Sequence, residues 1–256
     1  MLKALVLTGF GINCEVESRH CIEKTGGRGD IVHLNLLLDN PKMLEDYNML
    51  MIPGGFSFGD DLGSGKVFGN KMKFRLHEPL ERFVKDGKLI LGICNGFQVM
   101  VKMGLLPEPD FHQTVSLTGN DSGHFEDRWV FLKANQNSPC VFTKGMEYLL
   151  VPVRHGEGKF VTADSGVLEN LKKNNQVVFQ YVDEKGSPAG YPYNPNGSVD
   201  NIAGICDKSG RIFGMMPHPE AFNIPENCPY WVKGTIKEAM GLRIFKNAVD
   251  YATKTF

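Results

Sequence analysis

The sequence predicts an α/β protein with a parallel sheet covered by helices on both faces and with antiparallel strands added to it. In the first half of the chain, strand-like segments alternate with helical ones, and each strand-like segment is apolar throughout. Strands of this composition are buried on both faces, as in parallel sheets whose connections are helices. In the second half, shorter strand-like segments are separated by Gly, Asn, Asp and Pro, which predicts the antiparallel additions.

The first half of the chain divides into alternating segments. They are a strand at 3–7, a turn at 8–11, a helix to about Lys24, strands at 30–34 and 47–53, a helix at 70–85, a strand at 88–94 and a helix at 95–103. Gly104 ends the last helix, because glycine adopts the left-handed conformation found just past helix ends. Pro79 lacks an amide hydrogen, so we expect a kink or a boundary there.

The second half contains shorter elements and ends in a helix. Strands are predicted at 128–132, 149–153, 176–181, 202–206 and 212–216, and a closing helix at 235–253. The Asp-Lys-Ser-Gly run at 207–210 is typical of a hairpin turn. Neither a flexible linker nor an internal repeat divides the chain, so we predict one domain over residues 1–256.

Composition excludes several classes of function. A formal net charge of −1 argues against binding to nucleic acid or to an anionic membrane, because both need a basic surface. The amino terminus lacks the apolar core and cleavage site of a signal peptide, and no apolar run could span a bilayer, so we expect a cytoplasmic protein. The six cysteines form no C-x-x-C pair and no metal-like spacing with histidine, so no metal site is expected.

The segment Gly-Ile-Cys-Asn-Gly at 92–96 is the candidate nucleophile site. Gly92 and Gly96 flank Cys94 at two residues' distance, between an apolar strand and an apolar helix. This is the pattern of a nucleophile elbow, in which small neighbours let strand and helix approach closely. The helix amino terminus favours the thiolate, and the Asn95 amide is a natural donor to an oxyanion. A second donor is expected from Gly54 or Gly55, at the end of a neighbouring strand.

A general base is predicted from the segment Pro-His-Pro-Glu at 217–220. An apolar strand leads into His218, and an extended backbone would place Glu220 on the same side as the histidine. A nucleophile needs such a base, and the base needs an acid that holds its tautomer. His155, in the glycine-flanked run His-Gly-Glu-Gly at 155–158, fits a ligand-contacting loop and an ordinary turn equally well.

Taken together, these motifs resemble those of the class I, triad-type glutamine amidotransferases. Within that family, the sequence is most similar to the glutaminase components of phosphoribosylformylglycinamidine synthases. The narrower resemblance rests on Asn95 in the elbow, on Gly-Phe-Ser-Phe-Gly-Asp at 55–60, on the 155–158 loop and on Asn-Pro-Asn-Gly-Ser at 194–198.

The resemblance implies a flavodoxin-like sheet with antiparallel extensions, and a mechanism. Cys94 would attack the side-chain amide of L-glutamine, His218 would protonate the departing ammonia, and Glu220 would orient His218. The amides of Gly55 and Asn95 would form the oxyanion hole. The implied substrate-binding residues are Gln98, Phe56, His155, Gly156 and Glu157.

The resemblance also implies a partner. Ammonia would pass to a large ATP-dependent synthase subunit that converts formylglycinamide ribonucleotide to the amidine. ATP and Mg²⁺ would be used by that partner, and this chain would carry no cofactor. Whether a small accessory subunit completes the complex is left open.

One segment departs from the family pattern. Many bacterial members continue after the Gly-Asp pair with an aromatic residue, leucine and arginine, whereas this chain has Asp-Leu-Gly-Ser-Gly-Lys at 61–66. A partner contact through that arginine is therefore not expected here.

Two alternatives share these motifs. The chain could keep the fold and triad but serve a different amidotransferase or act as a peptidase-like hydrolase, or it could be a catalytically silent subunit that binds a partner. The Asn-Pro-Asn-Gly-Ser and His-Gly-Glu-Gly runs favour the purine-pathway assignment over the first alternative. The complete set of Cys94, His218 and Glu220 argues against the second.

Overall fold

A computed structural model describes residues 1–234 and 236–256. The strands are β1 Lys3–Thr8, β2 Arg28–His33, β3 Met49–Ile52, β4 Leu89–Ile93, β5 Val115–Thr118, β6 Glu126–Ala134, β7 Tyr148–His155, β8 Lys159–Thr162, β9 Val177–Val182, β10 Ile202–Cys206 and β11 Ile212–Met215. The helices are α1 Glu15–Lys24, α2 Leu34–Asp39, α3 Lys66–Arg75, α4 His77–Lys85, α5 Asn95–Met103, α6 Ser165–Lys173 and α7 Leu242–Thr255.

The strands form a nine-stranded mixed sheet in the order β2-β1-β3-β4-β11-β10-β9-β6-β7. Pairing is parallel from β2 to β11 and antiparallel from there to β7. Strands β5 and β8 form a separate antiparallel pair. The predicted fold class, a parallel sheet flanked by helices with antiparallel additions, is confirmed.

Strand β11 differs from the expectation that the later strands would all be antiparallel additions. It pairs antiparallel with β10 through the predicted hairpin at 207–210, but parallel with β4. The Asp207 carboxylate holds that turn by accepting hydrogen bonds from the amides of Ser209 and Ile212. Because β11 runs parallel to β4, both strands end at the same edge of the sheet.

The predicted helix at 70–85 is two helices, α3 and α4, separated at Leu76. The expected boundary at Pro79 is wrong. Pro79 lies in the first turn of α4, where amide hydrogens have no partner within the helix, so the missing one costs little.

Two other element boundaries in the structure differ from the predicted ones. The closing helix α7 begins at Leu242, and the predicted start at Thr235 lies outside the described residues. Leu34 begins α2 instead of ending a strand, because the His33 ring nitrogen Nδ1 accepts a hydrogen bond from the Asn35 amide and caps the helix. Helices α2 and α6 and strands β5 and β8 were not predicted from the sequence.

The apolar core is continuous. One cluster of buried side chains contains residues from Leu2 near the amino terminus to Ala252 in α7. The organisation as one domain over 1–256 remains a prediction. Within 1–234 and 236–256, none of the helices combines the length and apolarity needed to cross a membrane.

Candidate active site

Cys94 occupies a sharp turn between β4 and α5. Its backbone has φ 51° and ψ −107°, a left-handed conformation that non-glycine residues rarely adopt and that is typical of strained functional sites. A β-carbon at Gly96 would lie 1.8 Å from the carbonyl oxygen of Ile52, and one at Gly92 would lie 2.8 Å from the backbone carbonyl of Gly96. Both glycines are therefore required for the strand and the helix to approach. The geometry is that of the predicted nucleophile elbow.

His218 lies beside Cys94 because β11 is the neighbour of β4. The His218 amide donates a hydrogen bond of 2.8 Å to the carbonyl of Pro152 in β7, which fixes the backbone beyond the end of β11. The expected extended segment is wrong, since Pro219–Ala221 forms a 3-10 turn. That turn nevertheless brings Oε1 of Glu220 to 2.6 Å from Nδ1 of His218, and both side chains are buried.

The environment of His218 favours the imidazolium form. Burial alone would lower the pKa of His218, but the negative charge of Glu220, together with the nearby Cys94 and Cys14 thiols, raises that pKa well above its ordinary value. Among the described residues, no group makes a well-formed hydrogen bond to Nε2 of His218, although both thiols lie close to the ring. Nε2 is therefore free to exchange a proton with a reacting group.

The second thiol, that of Cys14, was not anticipated from the sequence. Cys14 precedes α1, and its amide donates to the carbonyl of Gly54. Burial, opposed in part by the neighbouring His218 ring, raises the pKa of the Cys14 thiol. Cys14 therefore stays protonated beside the imidazolium. Cys94 differs in occupying the elbow, at the amino terminus of α5.

Gly55 and Asn95 are the two predicted oxyanion donors: Gly55 lines the same cavity as Cys94, and Asn95 follows Cys94 directly in the chain. Gly55 has φ 152°, and a β-carbon there would lie 2.5 Å from the carbonyl oxygen of Gly11. Only glycine fits this position. Asn95 is the first residue of α5, where an amide has no partner within the helix. Both amides are thus suited to the predicted oxyanion hole.

A small cavity of about 140 Å³ opens at Cys94. It brings together seven of the ten predicted site residues, and these seven come from three separate segments of the chain. The lining residues are Gly55, Phe56, Asp60, Ser64, Cys94, Gln98, Phe125, Arg154, His155, Gly156 and Glu157. His218 and Glu220 are not among these lining residues. Two larger grooves, of about 630 and 510 Å³, contain none of the predicted site residues.

Hydrogen bonds fix one wall of the cavity. The Asn95 side chain donates to Oε1 of Gln98 over 2.9 Å, and the Gln98 side chain donates to the carbonyl of Glu157. The Ser64 amide donates to the Glu157 carboxylate over 3.2 Å. Ser64 belongs to the segment that departs from the family pattern, so that segment builds the wall of the cavity.

His155 contributes to the cavity mainly through its position. Its Nδ1 lies 3.1 Å from Oδ1 of Asn120, and its Nε2 lies 3.5 Å from the side-chain nitrogen of Asn196. Burial, reinforced by the charge on His218, lowers the pKa of His155 to about 3, so the ring is neutral. Both ring nitrogens already face protein partners, which leaves the 155–157 main chain to meet a ligand.

Four lining residues were not predicted as site residues: Asp60, Ser64, Phe125 and Arg154. Asp60 ends the Gly-Phe-Ser-Phe-Gly-Asp motif, and that motif was a usable signal. Burial, followed by repulsion from Glu157, raises the pKa of Asp60. Phe125 lies beside Phe56 at the mouth, with ring centroids 6.2 Å apart, and no pattern in the sequence indicated it.

Comparisons with known proteins show the family to which the chain belongs. Residues 1–252 match the family model described as the CobB/CobQ-like glutamine amidotransferase domain. The chain is 49% identical to the phosphoribosylformylglycinamidine synthase subunit PurQ of Methanococcus maripaludis, with 98% of each chain covered. The protein of the same name from Dehalococcoides mccartyi is 46% identical, also with 98% of each chain covered.

Solved structures show the same similarity. The structure of PurLQS from Thermotoga maritima contains a chain that is 33% identical, with a TM-score of 0.72, and the match covers 98% of this chain and 99% of that one. A glutamine amidotransferase of Thermotoga maritima, 17% identical with a TM-score of 0.57, shares the fold.

Proposed function

The chain belongs to the family of CobB/CobQ-like glutamine amidotransferases, and on that premise we propose that it is the glutaminase subunit of a phosphoribosylformylglycinamidine synthase. The resemblance inferred from the sequence motifs is thereby confirmed. The chain hydrolyses glutamine and delivers ammonia for purine biosynthesis. The observation that supports the chemistry best is the convergence of the Cys94 elbow, the His218–Glu220 pair and a cavity on one edge of the sheet.

The first chemical step forms a thioester. Sγ of Cys94 attacks the side-chain carbonyl carbon of glutamine, and the oxygen becomes an oxyanion that the Gly55 and Asn95 amides hold. Each such donor contributes about 3 kcal/mol to lowering the barrier. The His218 imidazolium then gives its Nε2 proton to the leaving nitrogen, and ammonia departs.

The second step regenerates the enzyme. His218, now neutral, takes a proton from water as the water attacks the glutamyl thioester. The Cys94 thiolate leaves, glutamate is released, and the imidazolium is restored. Throughout, Glu220 accepts the Nδ1 proton of His218 in a 2.6 Å hydrogen bond, which holds the tautomer and the ring orientation.

The cavity suits the amino-acid end of glutamine. Asp60 and Glu157 face it as two neighbouring carboxylates, and their mutual repulsion is relieved by a bound cation. The α-ammonium group of glutamine supplies that charge. Gln98, held by Asn95 and Glu157, retains one donor and one acceptor for substrate.

The chain works as one subunit of a larger enzyme. We assign it a large ATP-dependent synthase as partner, which uses ATP and Mg²⁺ to activate formylglycinamide ribonucleotide and accepts the ammonia. The glutaminase itself is assigned no cofactor.

Glutamate release by the purified chain tests this proposal, alone and with the synthase, formylglycinamide ribonucleotide and ATP. Cys94→Ser should abolish release, whereas Cys228→Ser, which removes a buried thiol outside the cavity lining, should not. Release that rises when the synthase turns over supports both chemistry and pathway. Cys94-dependent release that ignores the synthase would contradict the pathway, and a fully active Cys94→Ser variant would contradict the chemistry.

A further inference from the structure

Asn120 does not line the cavity, but its side chain binds the 155–158 loop, most of which does. Its nitrogen Nδ2 donates to the carbonyl oxygens of His124 and His155, each over 2.8 Å. Its oxygen Oδ1 accepts a hydrogen bond of 3.0 Å from the Gly158 amide and lies 3.1 Å from Nδ1 of His155. A side-chain amide has two donor hydrogens and an oxygen with two lone pairs, so the buried Asn120 uses its entire hydrogen-bonding capacity on these partners.

This network determines which ring nitrogen of His155 carries a proton. Carbonyl oxygens can only accept, so the two carbonyls require the NH2 group of Asn120 and turn its oxygen toward the His155 ring. That oxygen is also only an acceptor, and the buried ring is neutral because its pKa is lowered to about 3. Nδ1 of His155 is therefore the protonated nitrogen, and Nε2 keeps a lone pair. The side-chain nitrogen of Asn196, 3.5 Å from Nε2, is the donor that faces it.

The other end of the loop is fixed at Gly158. Asn120 binds the Gly158 amide, and the Asn196 side chain donates to the Gly158 carbonyl over 2.8 Å. A β-carbon at Gly158 would lie 2.3 Å from Cε1 of His155, so the glycine packs directly against the imidazole ring. Asn120 thus ties both ends of the loop, at His155 and at Gly158, and leaves the two residues between them at the cavity.

The loop in turn holds groups that face the substrate. The Glu157 carbonyl accepts a hydrogen bond from the Gln98 side chain, and the Glu157 carboxylate accepts one from the Ser64 amide. The nucleophile is fixed by a different contact, since the Cys94 amide donates to the carbonyl of Met215 over 2.8 Å. Movement of the loop should therefore alter substrate binding more than it alters the chemical step.

From these contacts we propose that Asn120 is a positioning residue for glutamine. Its side chain fixes His155 as the Nδ1–H tautomer and holds the 155–158 loop where Gly156 and Glu157 receive the amino-acid end of the substrate. This role rests on the proposed glutaminase function, and it adds a residue outside the cavity lining to the determinants of glutamine binding. Asn120 therefore acts on KM and leaves kcat nearly unchanged, as is typical of a group that contributes only to binding.

Asn120→Asp tests this role with a side chain of the same shape. The new oxygen would face the carbonyl oxygens of His124 and His155, so repulsion replaces two hydrogen bonds. We expect KM for glutamine, measured as glutamate release with the synthase present, to rise about tenfold or more, as when a buried polar group loses its partners. The kcat value should change little.

Asn135→Asp is the matched control. The Asn135 side chain also donates to a backbone carbonyl, that of Val177 over 3.0 Å, but Asn135 lies outside the cavity lining and has no contact with the 155–158 loop in the described part of the chain. Asn135→Asp should lower the urea midpoint, because it too replaces a hydrogen bond by repulsion, and should leave KM at the wild-type value.

The tautomer of His155 is a property of the wild-type chain, so its measurement does not depend on the folding of an Asn120 variant. Long-range ¹H–¹⁵N correlation spectra of ¹⁵N-histidine-labelled protein distinguish a protonated ring nitrogen from an unprotonated one. His155→Gln identifies the signal among the seven histidines. We expect Nδ1 to be protonated and Nε2 to be unprotonated, and this pattern to persist at about pH 5, where an exposed histidine binds a second proton.

Several results would overturn the proposal. They are an Nε2–H tautomer in the wild type, a wild-type KM in a folded Asn120→Asp protein, a fall in kcat as large as the rise in KM, and an equal rise in KM with Asn135→Asp. Failure of the proposed function gives a different result, because the wild type then releases no glutamate whatever the tautomer of His155. The role of Asn120 in glutamine binding would fail with it.

Discussion

A single methyl group at Gly54 should disable the enzyme without unfolding it. Gly54 lies beside the two side chains proposed as catalytic, and a β-carbon there would be 2.8 Å from Cε1 of His218 and 3.5 Å from Cβ of Cys94. The Gly54 backbone does not have the positive φ that alanine avoids. The effect of Gly54→Ala therefore comes from the contacts alone.

The size of the effect follows from the overlap. Carbon atoms in contact are about 3.5–4.0 Å apart, so the His218 ring must retreat by about 0.7–1.2 Å. The ring cannot move freely, because Glu220 binds Nδ1 and the backbone amide is fixed to Pro152. A displacement of about 1 Å costs about 100-fold in rate. Overpacking at a buried site costs about 1–3 kcal/mol of stability.

The assay is kcat for glutamine hydrolysis, measured with the synthase present, together with thermal unfolding of each protein. Gly119→Ala is the matched control, because a β-carbon at Gly119 meets nothing within 4 Å and the residue lacks a positive φ. We expect kcat to fall by about 100-fold for Gly54→Ala and not for the control. A folded Gly54→Ala protein with kcat within twofold of wild type would refute the placement of His218 beside Cys94.

Three further outcomes are expected. Gly96→Ala should prevent stable folding, measured as the urea midpoint, because its β-carbon would lie 1.8 Å from the backbone oxygen of Ile52; a wild-type midpoint would contradict the close packing of the elbow. Asp60→Asn should raise KM for glutamine about tenfold and leave kcat nearly unchanged, since it removes one charge facing the α-ammonium group, about 1.4 kcal/mol; an unchanged KM would remove Asp60 from substrate binding. The pKa of His155 is lowered to about 3, so between about pH 6.5 and pH 3 the unfolded chain binds a proton at this residue and the folded protein does not. The folded protein therefore becomes less stable as the pH decreases through this range. The free-energy advantage of wild type over His155→Gln in urea unfolding should therefore shrink by about 2 kcal/mol from pH 7.5 to pH 5, and a constant difference would contradict the buried neutral histidine.

The side chains proposed as catalytic could be located from the sequence because local rules determine their positions. Glycines two residues before and after Cys94 are required by the close approach of β3, β4 and α5. Helix α5 has the predicted bounds, since an apolar strand, a tight turn and a glycine stop define it within a few residues. His218 and Glu220 were identified from adjacent prolines and a two-residue spacing, although the backbone between them is a 3-10 turn.

The cavity wall could not be predicted in the same way. Ser64 and Glu157 meet through a hydrogen bond between distant loops, and neither loop carries a periodic pattern. Phe125, which lines the cavity beside Phe56, immediately precedes β6 in the chain. The Cys14 thiol approaches His218 only because α1 begins next to the end of β3. Such contacts depend on tertiary packing, and a single sequence gives no local signal for them.

The direction of β11 depends both on a local sequence pattern and on tertiary packing. A hairpin joins β10 to β11, so the local pattern predicts an antiparallel pair, and that pair is present. Beyond the hairpin, β11 pairs parallel with β4, with Met215 opposite Ile93. An antiparallel β11 at this place would end at the opposite edge of the sheet and carry His218 about four residues' length, roughly 13 Å, away from Cys94. The insertion of one parallel strand beside β4 therefore places His218 beside Cys94, and that insertion is the step that the sequence pattern alone did not specify.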